Sequence, residues 1–241
     1  MKVEIWSDFV CPFCYIGKRR LEEALAGFEH KEQVVIEYKS FELDPNADSE
    51  ARMHTHEMLA SKYGMSVEQA KASGQSVAGQ AAAAGLEFRF ENQYVQNTFD
   101  AHRLAQFAAV SGRGAEMAER LFRAYFTDND LIGNKEVLAR LAEEVGLDAG
   151  QVSELLGSEQ FADVVRQQES EGSQLGIRGV PFFVIDRKYG ISGAQSPAVF
   201  LDTLQKAWTE KYPELVQVQG ADDAACADGY CAAPGADGDK K

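Results

Sequence analysis

Basic residues are scarce in this chain. Lys and Arg number 24 against 38 Asp and Glu, a formal charge of −14. That balance argues against nucleic acid or an anionic membrane surface as a partner and favours solubility. No apolar run approaches the ~18 residues of a transmembrane helix. A signal-peptide core is missing too, because Glu4 and Asp8 interrupt the first apolar stretch and a strand pattern begins almost at Met1. The expected location is the cytoplasm, where standing disulfides are uncommon and paired cysteines are more often catalytic. There is no long internal repeat, and cysteine is limited to four residues. A zinc ribbon needs a second Cys-x-x-Cys or a histidine pair. The remaining cysteines, Cys226 and Cys231, have a different spacing and lie at the far end of the chain.

What is present is enough for a packed core: 45% of 241 residues are hydrophobic, which fits one large domain or a domain with a sizeable insertion. The most informative stretch is Cys11-Pro12-Phe13-Cys14. Before it, Val3-Glu4-Ile5-Trp6 alternates like a strand. After it, Tyr15 to Leu25 has apolar residues at helical spacing. Cys11 is therefore expected at a helix N-terminus, with Pro12 in the first turn, where its missing N–H has no intrahelical partner. Unpaired amides and the helix dipole favour a thiolate there, and the thiolate is the nucleophile. Cys14, one turn on, is expected to be more buried and to act as the resolving sulfur after attack on a substrate disulfide. Phe13 contributes no charge to stabilise the thiolate, which points to a milder oxidant than a pair with histidine there, and it is a candidate substrate contact.

Residues 34–43 read as a second strand ending at Asp44-Pro45-Asn46, a turn signal. From about Ser49 to Gly176 the pattern is mainly helical. Ser66 with Gln69 forms a capping box. Residues 86–90 form a short extended piece. Helices restart near Asn97, Gly114, Asn134, Asp148 and Ser158. The chain then returns to strands: 181–185, a hairpin turn at Asp186-Arg187-Lys188, and a return strand over 189–192. Ser196-Pro197 opens a last helix running to about Lys211. The composition of residues beyond Val218, rich in Gly, Ala and Asp, reads as a mobile tail. The fold class is α/β, in thioredoxin order with a large inserted helical domain. Residues 1–45 and 158–213 form the two parts of the thioredoxin unit, 46–157 the insertion, and 214–241 the tail.

Gly179-Val180-Pro181 is the second chemical element. A proline opening a strand cannot donate to the ladder. A cis Val180–Pro181 bond would turn the chain beside the cysteines and leave the Val180 backbone to pair with an extended substrate. Together, the CPFC motif after a first strand, Gly-Val-Pro before a later one, and an inserted helical domain resemble the DsbA family over roughly residues 1–212. Ser7 to Gly17 and Asn97 to Leu104 are similar to stretches typical of its FrnE-like branch. The resemblance implies thiol–disulfide oxidoreductase activity at Cys11 and Cys14, with a cis proline at Pro181. Related branches are glutathione-dependent isomerases and transferases, which typically carry serine where this chain has Cys11. No cofactor is implied beyond glutathione as a redox partner. Protein thiols and disulfides, or small thiols, are the expected partners.

Several other residues carry two readings. Asn97 or Thr98 can cap a helix, Asp100 and Arg103 can pair on its surface, and His102 is either structural or a support for a thiolate. Lys18-Arg19-Arg20 reads as a solvated helix face, or as a cradle for the carboxylates of glutathione or an acidic substrate. His54 and His56 are two residues apart, so on a helix they cannot share a metal ion. Cys226 and Cys231 flank Gly229 and can close into an exchangeable disulfide, an accessory redox pair, remain idle thiols, or form an ion site. A glutathione-dependent isomerase or transferase, which needs tight glutathione binding and a small-molecule pocket, is one alternative, and a peptide-binding chaperone is the alternative from a different class. Exchange abolished by Cys11→Ser, with holdase activity intact, would separate the chaperone from the exchange enzyme.

Overall fold

The computed structural model describes residues 1–48, 53–213 and 215. Its centre is a four-stranded sheet in the order β2-β1-β3-β4. β1 (Lys2–Ser7) lies parallel to β2 (Val35–Ser40) and antiparallel to β3 (Phe182–Ile185), so Ile5 stands between Tyr38 and Phe183. β4 (Tyr189–Ser192) closes the hairpin after Asp186-Arg187-Lys188, where Asp186 and Arg187 lie at positive φ and the Lys188 amide donates to the Ile185 carbonyl at 3.0 Å. This is the thioredoxin order expected from the sequence.

Both faces of β1 are covered, and its sequence reflects that. Val3 and Ile5 face α1 (Pro12–Ala26) and α9 (Pro197–Lys211), where Leu21, Phe200 and Leu204 are fully buried. Trp6 faces the opposite side, against α8 (Ala162–Gln174), where its Nε1 donates to the Gln168 carbonyl at 2.9 Å. Gly172 admits the indole: a Cβ there would lie 2.7 Å from Trp6 Nε1.

Among the described residues, six α-helices stand between β2 and α8: α2 (Thr55–Tyr63), α3 (Val67–Ala83), α4 (Phe99–Val110), α5 (Gly114–Arg123), α6 (Lys135–Glu144) and α7 (Ala149–Leu156). A π-helical turn, Ala124–Asp128, extends α5. The core of this insertion is continuous with the cysteine turn: Phe9, Cys11, Cys14, Tyr15 and Ile16 pack in the same apolar cluster as Leu104, Leu121, Phe122 and Phe126. The insertion and α8 together cover the outer edge of β2. Gln168 Oε1 accepts from the Ser40 amide at 2.7 Å, and Gln106 Nε2 donates to the Tyr38 carbonyl at 3.2 Å. Two glutamines thus supply the ladder bonds an edge strand would otherwise offer to another chain.

Local chemistry moves three boundaries from those expected. The second strand stops at Ser40 instead of reaching Leu43, because the Glu42 and Leu43 amides are taken by Glu169 Oε1 and Asp8 Oδ2. Residues 86–90 join no strand; the Arg89 amide donates to the Phe126 carbonyl. The helix expected near Ser158 starts at Ala162, after Phe161 in the left-handed region at φ 62°. Arg103 holds the preceding turn open by donating to the carbonyls of Leu155, Ser158 and Gln160. The Ser66–Gln69 capping box is present as expected. Among the described residues, no helix is long and apolar enough to cross a membrane.

Candidate active site

Cys11 is the N-cap of α1, in extended backbone with φ −89° and ψ 113°, and Pro12 follows at the first helical position. The Cys11 amide donates to the Asp8 carbonyl at 3.1 Å, and the Cys14 amide donates to the Cys11 carbonyl at 3.0 Å. A tight turn therefore presents Cys11 at the positive end of the helix, with Cys14 one turn below. Both thiols are free and buried; Cys14 is the deeper, at 2% exposure against 5%. Burial pushes the Cys14 thiol well above the ordinary cysteine range, and the Cys11 sulfur beside it pushes the same way. The Ser7 hydroxyl and the Asp8 amide, which face the Cys14 sulfur, pull in the opposite direction.

The Val180–Pro181 bond is cis, as expected from the sequence. Cys11 Sγ donates to the Val180 carbonyl at 3.6 Å, so the loop before β3 faces the cysteine turn. Phe13, between the cysteines, is 39% exposed. With the half-buried Val10 and Val180 it gives the site an apolar rim. The Val180 amide donates no hydrogen bond among the described residues.

His102 sits on α4 and is buried, but its nearest polar group is not a cysteine. Its Nε2 lies 3.5 Å from Asp8 Oδ1, and its ring packs 4.8 Å from that of Phe9. Neither Asp8 Oδ1 nor His102 Nε2 makes a hydrogen bond, and the same holds for the buried Glu42 Oε1. The other Glu42 oxygen pairs with Arg166. The sequence reading did not single out Asp8 or Glu42. Asp8 carried a visible signal, a carboxylate three residues before Cys11 at a strand end; Glu42 carried none, since its burial depends on α8.

Two surface expectations are overturned. Arg103 does pair with Asp100, at 2.6 Å, but it is fully buried rather than on the helix surface, because its guanidinium is spent on the carbonyls of Leu155 at the end of α7 and of Ser158 and Gln160 in the turn that follows. Lys18-Arg19-Arg20 is neither a solvated face nor a carboxylate cradle. Lys18 is buried and bonded to Glu22 and Glu119 at 2.5 Å each, Arg19 bonds Glu22 and Glu119, and Arg20 donates to the Ala194 carbonyl. Glu119 comes from α5, so this ion cluster ties the active-site helix to the insertion. Asn97 Oδ1 accepts from the Phe99 amide at 3.0 Å, while Thr98, the N-cap residue, makes no capping bond. His54 precedes α2 and stacks on Tyr94, whereas His56 lies within α2 beside Gly74. Among the described residues, no group of three His, Cys, Asp or Glu is placed to hold a metal ion. The expected tail pair, Cys226 and Cys231, lies outside the described residues.

The arrangement has a thiol at a helix N-terminus, a second thiol buried behind it, and a free backbone amide alongside. It is suited to forming and resolving a mixed disulfide. Comparison with known proteins gives the family. The chain is 30% identical over 203 residues to the uncharacterized protein YwbO of Bacillus subtilis (strain 168), covering 82% of this chain and 92% of that one. It is 43% identical to a probable DsbA oxidoreductase of Streptomyces coelicolor, whose crystal structure superposes with a TM-score of 0.84 over 98% of this chain and 100% of the other. The cytosolic disulfide reductase DsbM of Pseudomonas aeruginosa, solved with GSH, shares the fold at 16% identity, with a TM-score of 0.60 over 86% of this chain and 99% of its own. The model of the DSBA-like thioredoxin domain matches residues 2–205, and the chain belongs to that family of thiol–disulfide oxidoreductases.

Proposed function

We propose that Cys11 is the exchanging thiol and Cys14 the resolving thiol of an enzyme acting on protein disulfides, and that the backbone at Val180 receives the substrate chain. The observation that carries this reading is the placement of Cys11 Sγ between the N-terminus of α1 and the Val180 carbonyl. A substrate disulfide is attacked by the Cys11 thiolate, giving a Cys11–substrate bond and releasing one substrate thiolate. Cys14 then displaces the second substrate sulfur and closes the Cys11–Cys14 disulfide, so the substrate gains two electrons. An extended substrate segment pairs with the Val180 amide, and its apolar side chains meet Phe13, Val10 and Val180. The reverse direction uses the same groups.

In this reading glutathione or another small thiol recycles the pair, and the work is done in the cytoplasm. Cys226 and Cys231 act as an accessory redox pair, since a tether raises their local concentration near Cys11. The test is reduction of insulin disulfides with dithiothreitol as donor. Cys11→Ser should abolish it, and Cys14→Ser should accumulate mixed disulfides. Activity retained by Cys11→Ser would place the chemistry elsewhere. For the tail, Cys14→Ser under oxidation should yield a peptide linking Cys11 to Cys226 or Cys231. If no linkage forms, and truncation after Val218 leaves turnover unchanged, the accessory role is refuted.

A further inference from the structure

We propose that residues 216–219 of this chain, Val-Gln-Val-Gln, lie as an added strand along the Val35 end of the β2 edge, in an apolar groove between β2, α4, α5 and α8. None of the residues lining this groove belongs to the cysteine site. The Val35 amide donates to the Met1 carbonyl, so Val35, Glu37 and Lys39 turn their backbone groups toward β1. Ile36, Tyr38 and Ser40 then face outward. Gln106 and Gln168 serve the Tyr38 carbonyl and the Ser40 amide. The Ile36 amide and carbonyl and the Tyr38 amide have no hydrogen bond among the described residues. They border a groove of about 540 Å³. Small residues line part of it, and a Cβ at Gly114 would stand 3.0 Å from Ala109 Cβ. Val35, Val110 and Val164, all exposed, line the rest with Phe161. Phe161 stands there on left-handed backbone, φ 62°, which is costly for an aromatic residue. The buried Arg103 holds that turn through the Leu155, Ser158 and Gln160 carbonyls. Strain kept in place by its surroundings collects at ligand clamps.

The occupant that fits is extended, apolar at alternate positions and free of negative charge. Main-chain groups on a strand edge pair with another main chain. The charged residues among those lining the groove are Glu37 and Glu116, which disfavour an acidic segment. The chain carries such a segment close by. α9 ends at Lys211 beside the start of β2: Tyr212 packs 4.3 Å from Trp208, and Trp208 stacks 4.1 Å from His30. Trp208 and Val34 pack against the same apolar cluster. From Tyr212 to Val218 an extended chain spans about 20 Å. Val216 and Val218 alternate with Gln217 and Gln219, a strand pattern without charge, and the acidic Asp222 and Asp223 come only after it. The tether holds this segment at about millimolar local concentration, which favours it over a second copy or a client peptide. Once added, its carbonyls accept from the Ile36 and Tyr38 amides and one of its amides donates to the Ile36 carbonyl. The edge is then closed to other chains.

The experiment is amide hydrogen exchange at Ile36 and Tyr38, read by NMR in the full-length chain. Val216→Asp with Val218→Asp puts two carboxylates against a groove that already has two. This double variant should exchange both amides about tenfold faster than the parent or more, while the Val3 and Ile5 amides stay within about twofold. Val110→Glu should act in the same way from the groove side; Val110 is 79% exposed, so the fold tolerates the change. A peptide of residues 213–220, added at about millimolar concentration to the double variant, should restore the protection. Equal exchange at Ile36 and Tyr38 in the parent and the double variant overturns the proposal. So does protection in the parent that rises with protein concentration, which would assign the edge to a second copy. Restoration by the same peptide carrying both Asp substitutions also overturns it, because the groove would then be a general peptide site.

Discussion

Gly17 of the active-site helix lies against Pro181: a Cβ at Gly17 would stand 3.2 Å from Pro181 Cγ and 3.1 Å from Phe183 Cζ. Glycine inside a helix costs about 0.5–1 kcal/mol relative to alanine. Here the close approach of α1 to the Val180–Pro181 loop accounts for it, because that approach brings Cys11 to the Val180 carbonyl. Gly17→Val should destabilise the fold by roughly 1–3 kcal/mol, the usual cost of overpacking. At a temperature where the variant stays folded, insulin reduction should still fall by about tenfold or more, since the loop must move away from Cys11. A variant with lowered Tm but parental turnover would show that the spacing of α1 and the loop does not matter to exchange.

Cys14 supplies a second expectation. Burial is the largest cause of its raised pKa, with the Cys11 sulfur second. Substituting Cys11 by serine should therefore leave Cys14 above the ordinary thiol value of roughly 8.5. In a Cys11→Ser chain lacking the tail cysteines, alkylation by iodoacetamide should be at least about tenfold slower at neutral pH than for an exposed cysteine. Its midpoint should lie on the alkaline side of that value. A midpoint at or below it would mean that the thiol is solvated.

The backbone plan was legible because local signals agreed with it. Alternation in β1, Pro12 at the helix start, the Ser66–Gln69 box and the Asp186 turn each depend on a few consecutive residues, and each appears where expected. The position of Cys11 at a helix start, with Cys14 one turn on, and the cis Val180–Pro181 bond were legible for the same reason. What the sequence hid depends on pairing across the insertion. Lys18, Arg19 and Arg103 look like surface charges on their own helices, yet Glu119 and the Leu155 carbonyl engage them across 52 to 101 residues of chain. His102 was visible as a candidate, but its partner Asp8 lies on another element, 3.5 Å away through space.

The ion cluster around Glu119 leads to the last expectation, which concerns acid. Burial alone would raise the Glu119 pKa, but hydrogen bonds from Lys18, Tyr15 and Arg19 outweigh it and hold the carboxylate below its ordinary range. A carboxylate depressed in the folded state stabilises the protein fully above its unfolded value of about 4.3. That contribution is lost as pH falls through the folded value. Glu119→Gln removes the charge and leaves the buried Lys18 with Glu22 alone, a carboxylate that is itself 43% exposed. Near neutral pH the variant should be less stable by roughly 1–3 kcal/mol, the cost of leaving a buried polar group poorly partnered. Below about pH 4 the two chains should converge, because the parent loses what the variant never had. Urea unfolding midpoints measured from neutral to acid pH check this. A gap that stays constant with pH would show that Glu119 stabilises by packing and not by its charge. Because Glu119 joins α5 to the helix that carries both cysteines, the variant should also lose insulin turnover in proportion to any displacement of α1.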